Sequence, residues 1–237
     1  MKLIFIFLFI IAGSQIFAQQ TIINDANAEV RNVSAFTGIK VSGGIEVYLS
    51  QAENYSLAVS AADKENVANI KTEVRNDVLV ITYNDGNSRR NLSNKKLRAY
   101  ISFKTLESIE GSGACDFYIN NSLSGNSLLV KLSGACDIKG PVKLTNLSIE
   151  LTGASTVKLS GNTQNLKLDA SGASDIKNYD LATENCIAKL SGASDVRITV
   201  TNSITASASG ASTLFYHGDP DKRDVASSGA SSISQKN

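Results

Sequence analysis

The chain has 237 residues with 23 basic and 22 acidic side chains, and this balance excludes the concentrated basic surface that a nucleic-acid partner requires. Trp is absent, Pro occurs twice, and three cysteines are too few for a disulfide scaffold in an exported protein. Abundant Gly, Ser, Asn and Thr suit many short strands joined by tight turns, in one large all-β domain or two small ones.

In chain order, the first element is "MKLIFIFLFIIAGSQIFAQQ": one Lys, an unbroken apolar run, then small and polar residues. It reads as a signal peptide over residues 1–18, cleaved after Ala18. The run Leu3 to Ala12 is shorter than the roughly 20 apolar residues that span a bilayer, and no Cys follows it to carry a lipid. Its removal takes away one Lys and no acid, leaving 22 basic and 22 acidic residues. No later segment is apolar enough to cross a membrane, so the mature chain is expected to be soluble in the periplasm, at the outer surface or outside the cell.

A single β-helix domain is expected over residues 30–235, irregular over 30–105 and regular over 106–235. In "IKVSGGIEVYL", with Gly43 as zero, Ile39, Val41, Ile45, Val47 and Leu49 all fall on even offsets. The spacing of 70 from Gly43 to Gly113 leaves room for three or four looser coils. "YSLAVSA", "VLVITY" and "LRAYISF" read as strands there, and "ADKENVANI" as a short helix. Residues 84–96 form a polar loop whose Arg89, Arg90, Lys95 and Lys96 make a small basic cluster. A solvated loop is the plain reading, and binding of acidic glycans or lipid headgroups the sharper one.

From Gly113 onward a motif of the type Ser-Gly-Ala-Ser-Asp repeats. Gly113, Gly134, Gly153, Gly172, Gly192, Gly210 and Gly229 stand 18 to 21 residues apart, a period that signals a solenoid. Four before the first six glycines stand Ile109, Val130, Ile149, Leu168, Ala188 and Ala206; four after all seven stand Phe117, Ile138, Val157, Ile176, Val196, Leu214 and Ile233. Odd offsets carry Lys131, Glu150, Asp169 and Lys189, then Asp116, Asp137, Thr156, Asp175, Asp195 and Thr213. This alternation has a strand's period of two, with even positions inward and odd positions toward water. A coil of this kind buries its apolar face only by stacking on its copies, which gives an all-β parallel β-helix with coils of about 18–21 residues. The repeat glycines, Gly43 included, stand where a Cβ would crowd the facing wall or demand a positive φ. A leucine-rich repeat would need an L-x-x-L-x-L-x-x-N frame and room for a helix, and has neither here.

The order of "FTGIKVSGGIEVYLSQ", "LRAYISFKTLESIEGSGACDFYI", the SGA repeats and "FYHGDP" before a last "SSGASSI" resembles a family of secreted Bacteroidetes proteins, the autotransporter adhesin head or GIN domains. The likeness covers roughly residues 30 to 235. It implies a right-handed β-helix at the envelope or outside the cell. It transfers no catalytic residue, and it departs from a whole autotransporter in having only eight residues after Gly229, with no membrane barrel.

Chemistry is sparse. The acidic row Asp116, Asp137, Asp175 and Asp195 could place carboxylates on adjacent coils about 4.8 Å apart, suited to Ca²⁺ or to glycoside cleavage. The plainer reading is that each Asp caps its own turn through a side-chain bond to backbone. His217 is the single histidine and is read as a turn residue, without a partner for metal or nucleophilic chemistry. Cys115 and Cys136 share offset plus two on neighbouring coils and are expected as buried free thiols, with Cys186 a third. No catalytic residue, metal or cofactor is expected. The favoured reading is a non-catalytic envelope or extracellular module that binds a glycan or an envelope or surface protein. The alternative is a carbohydrate-active β-helix enzyme, a polysaccharide lyase or hydrolase, which rests on fold analogy alone.

Overall fold

The computed structural model describes residues 25–84, 86 and 95–236; the expected signal peptide and the loop arginines Arg89 and Arg90 lie outside these. Strands β1 (Glu29–Arg31), β2 (Gly38–Ser42), β3 (Glu46–Gln51) and β4 (Ser56–Ser60) precede one helical turn, α1 (Lys64–Val67). Then come β5 (Ile70–Arg75), β6 (Val78–Tyr83), β7 (Arg98–Phe103), β8 (Ser108–Gly113) and β9 (Asp116–Ile119). The regular half continues with β10 (Leu123–Gly134), β11 (Asp137–Gly153), β12 (Thr156–Ala170), β13 (Asp175–Leu190), β14 (Asp195–Ala208), β15 (Thr213–His217), β16 (Lys222–Ser227) and β17 (Ser232–Gln235).

From β8 onward every pairing is parallel, each strand lying against its copy one coil along: Asp137 opposes Asp116, Lys131 opposes Glu110, and Gly134 opposes Gly113. The fold is a parallel β-helix. Even offsets turn into one continuous core, where Ile109, Val130 and Ile149 are fully buried and Ala206, at the far end, is 4% exposed. Each Leu or Ile so buried stabilises the fold by about 1.5–3 kcal/mol. The alternation breaks at Thr145 and Asn146, which both face outward between buried Leu144 and Leu147, as do Gln164 and Asn165 between Thr163 and Leu166. Two successive outward residues let a strand turn a corner. Each coil therefore turns at the repeat glycine and again at the asparagine, and the positive φ of Gly140 and Gly161 marks a further bend between these corners.

The glycine corner explains the repeat. Gly153 has φ +97°, and a Cβ on it would meet the Gly134 carbonyl oxygen at 2.6 Å; Gly172, with φ +83°, would meet that of Gly153 at 2.5 Å. Only glycine removes both conflicts. The following alanine amides then donate to the glycine carbonyl one coil back, Ala154 to Gly134 and Ala173 to Gly153, each within 2.8 Å. The hydroxyl at plus two closes its own turn: Ser174, Ser194 and Ser212 donate to the carbonyls of Ser171, Ser191 and Ser209. The aspartates do not cap these turns as expected: the amides a carboxylate would accept from donate to carbonyls one coil back, Ala173 to Gly153 and Asp175 to Ser155, and among the described residues no aspartate of the row accepts a backbone amide.

The N-terminal half also departs from expectation. The Gly43 coil lies directly on the Gly113 coil, with Lys40 opposite Glu110 and Glu46 opposite Asp116, so no three or four coils intervene. The described residues between them leave that layer and return to it. On its other side the Gly43 coil pairs with β6 and β7, making β2–β3 a middle layer rather than the first. The reason is local: Asn76 and Asp77 take positive φ (48° and 60°), a two-residue hairpin turn that folds β5 back antiparallel on β6. Strand β4 likewise runs antiparallel to β7, and β1 to β4. These reversals close that end of the core. Gln51 joins the layers, its side-chain amide donating to the carbonyls of Lys104 and Ser124 and accepting from the Ser124 amide. At the opposite end β16 and β17 form the outermost coil, and there the even-offset Val225 is 44% exposed.

Candidate functional site: the outward face of β3, β7, β9 and β11

The outward faces before and after the glycine corner differ in kind. On the face before each glycine, Lys40 pairs with Glu110 at 2.9 Å and Lys131 with Glu150 at 3.3 Å across adjacent coils. Along this row Lys40, Lys131 and Lys189 offset Glu110, Glu150 and Asp169 in number, and exposed pairs of this sort contribute about 0–1 kcal/mol each. The face after each glycine carries the acidic row.

That row is continuous: Glu46, Asp116, Asp137, Thr156, Asp175, Asp195 and Thr213 oppose one another in turn. Its two aspartate pairs sit in different surroundings. Asp175 has Lys177 Nζ 2.6 Å away, and Asp195 has Arg197 Nη2 at 2.8 Å, so local cations hold that end. Asp116 instead has its carboxyl raised above the usual range, first by burial and then by the charges of Asp137 and Glu46, with Lys139 only partly offsetting them. No group of three or more His, Cys, Asp or Glu among the described residues is arranged to hold a metal ion.

Beside the acids runs an aromatic row absent from the sequence reading. Tyr48 stacks on Tyr100 with ring centres 5.2 Å apart and on Tyr118 at 5.0 Å, the planes within 17°. Lys139 closes the stack, its Nζ 4.4 Å from the centre of the Tyr118 ring. Strand register produces the ladder: Tyr48 opposes Tyr100 on one side and Tyr118 on the other. Stacked in this way the rings turn their edges outward, while the Tyr48 hydroxyl donates to Glu46 at 3.2 Å. Burial raises all three phenols, Tyr100 to about 12 with the help of its bond to Asp25, so they stay protonated donors.

Arg98 anchors the end of the row, with Nε 3.1 Å from Glu46 and Nη1 3.2 Å from Asp25. Asp25 also accepts from Ser60 at 2.8 Å and Tyr100 at 3.0 Å. Burial alone would raise this carboxyl, but the hydrogen bonds from Ser60, the Asn27 amide, Tyr100 and Arg98 outweigh it and hold it below the usual value.

Further along the same face His217 ends β15 and stacks on Tyr179, ring centres 3.9 Å apart, so it is a strand residue and not the expected turn histidine. Lys95 donates to the Tyr83 hydroxyl at 2.9 Å. Cys115, Cys136 and Cys186 are buried free thiols. Cys115 and Cys136 donate to the carbonyls of Ser112 and Ser133, as the serines do in later coils. The neighbouring Cys115 sulfur and burial push the Cys136 thiol up.

The aromatic row did have a signal: Tyr48 and Tyr118 both stand five after their glycines. The asparagine corner had one too. Seven before the glycine stand Asn146, Asn165 and Asn185, whose amides form a ladder, Asn165 donating to Asn146 at 3.0 Å and Asn185 to Asn165 at 3.1 Å.

A Bacteroides fragilis protein described as a putative adhesin superposes with a TM-score of 0.82 at 23% identity, over 88% of this chain and 96% of its own. A Parabacteroides distasonis protein described as a putative lipid binding protein superposes at 0.68 with 19% identity, over 90% and 98%. A Parabacteroides merdae putative adhesin gives 0.63 and 17%, over 89% and 95%. At these identities the likeness establishes the fold. No curated protein matches the chain significantly. The family described as "Putative auto-transporter adhesin, head GIN domain" matches residues 35–220, and the chain belongs to it.

Proposed function

We propose that the protein is a non-catalytic adhesive module, exported by residues 1–18 to the periplasm, outer surface or exterior, that binds a glycan or a surface protein through the Tyr100–Tyr48–Tyr118 face. The observation that carries this reading is the stacked tyrosine row beside acids whose charge is only partly offset. A flat, rigid row of phenol edges offers binding area at little entropic cost, and tyrosines of this kind dominate interface energetics. Membership of an adhesin family and the adhesin descriptions of its structural relatives support it. Among the described residues no helix is long and apolar enough to cross a membrane.

Asp116 and Asp137 face each other one strand spacing apart, about 4.8 Å, close to a retaining glycosidase pair. They stand on an open sheet face that admits water freely, whereas such an acid works in a cleft. The mature chain should be presented to arrayed glycans and immobilised envelope proteins, with polysaccharide cleavage assayed in parallel. Tyr48→Ala with Tyr118→Ala is expected to weaken binding at least tenfold at unchanged melting temperature, while Lys131→Ala with Glu150→Ala leaves it intact. Binding that follows the Lys131–Glu150 face instead, or turnover that disappears in Asp116→Asn, would overturn the reading.

A further inference from the structure

The asparagine corner carries a groove of about 640 Å³ along the helix axis. Five successive strands, β10 to β14, contribute to it, so at about 4.8 Å per coil it is about 19 Å long. Its floor is the backbone of Gly125, Leu144, Thr163 and Thr183, and the last three side chains are buried. One wall is Ser124, Lys143, Asn162 and Ala182, the other Thr145, Gln164, Glu184 and Thr201.

We infer that this groove is a second binding site, for an extended uncharged glycan. The inference rests on the binding-module reading but assigns a surface separate from the tyrosine face. Three observations select the ligand. The walls offer amides and hydroxyls, with Lys143 and Glu184 cancelling in charge, which matches a hydroxyl-rich neutral polymer and gives a polyanion no net attraction. The floor's backbone is committed to parallel pairing from β10 through β14, so an extended peptide finds no free main-chain groups to add to. The groove is also held in shape before any ligand arrives. Thr163 and Thr183 hydroxyls are tied to the carbonyls of Asn165 and Asn185, and the amide ladder from Asn146 to Asn202 runs alongside, so little entropy is lost on binding.

Ser124 and Ala182 make the test clean. Both stand in one wall, in register with the outward Lys143 and Asn162, and both are exposed, so large side chains placed there fill the groove and not the core. Affinity electrophoresis of the mature chain through gels containing xylan, glucomannan, mixed-linkage β-glucan or polygalacturonate reads the interaction. At least one neutral polymer is expected to retard the protein. Ser124→Tyr with Ala182→Tyr should weaken that retardation at least tenfold, as should the gentler Asn162→Ala with Gln164→Ala, both with unchanged circular dichroism. Tyr48→Ala with Tyr118→Ala should leave it untouched, which separates this site from the tyrosine face. Retardation by none of the neutral polymers, preference for polygalacturonate, or equal retardation of the groove-filled variants would overturn the inference.

Discussion

At the scale of single residues, the glycines divide into two kinds that composition cannot distinguish. Gly172 needs its missing Cβ twice over, for a φ of +83° and for the Gly153 carbonyl 2.5 Å from where a Cβ would stand. Gly125 needs it for neither reason. Gly172→Ala is therefore expected to cost more than about 2 kcal/mol in denaturant unfolding, since left-handed backbone alone costs an alanine about 1–2 kcal/mol before the clash. Gly125→Ala should change stability by less than about 0.5 kcal/mol. Equal losses at the two would mean that the glycine corners do not stack as described. The same corner explains the paired cysteines: Ser155 and Ser174 occupy the position of Cys115 and Cys136 in later coils, so Cys115→Ser with Cys136→Ser should melt within a few degrees of the parent. Denaturing alkylation before reduction should modify all three cysteines.

At the scale of elements, β1 and the preceding turn are pinned through Asp25, and that attachment depends on pH. The carboxyl is held below its ordinary value in the folded chain, so the ionised form stabilises the fold. That contribution is fully present above the unfolded value of about 3.9 and is lost as pH falls through the lower folded value. The stability difference between the parent and Asp25→Asn should be constant at neutral pH and shrink only below about pH 4. A difference that shrinks between pH 6 and 8 would assign the pinning to another group. In the regular half, Asn165→Ala breaks the amide ladder on both sides and is expected to cost about 1 kcal/mol, read by chemical denaturation, against less for the ladder's end at Asn202. The coils around both sites were legible in the sequence because a period-two pattern over a stacking repeat dictates burial. Ile149 and Leu168 are buried as that pattern demands. The path from Ala52 to Lys104 was not legible, because strand order in space depends on where a hairpin reverses, and Asn76–Asp77 marks a turn without saying which strand receives it. The tyrosine row stayed hidden for the same reason: Tyr100 joins Tyr48 only through that reversal.

At the scale of the whole molecule, both proposed sites are consequences of one arrangement, a register that repeats one strand spacing per coil. The tyrosine face exists because the Gly43 coil lies between β6–β7 and β8–β9, and the groove because β10 to β14 turn their second corner at the same offset. Had the Gly43 coil been separated from Gly113 by three coils, Tyr48 and Tyr118 could not touch. The most direct test is a distance by pulsed electron resonance between spin labels at Glu46→Cys and Thr213→Cys, in a chain whose three native cysteines are serine. Six strand spacings separate these positions in the acidic row, so the expected separation is about 29 Å, and the arrangement would be contradicted by a distance of about 43 Å, the value for three additional coils.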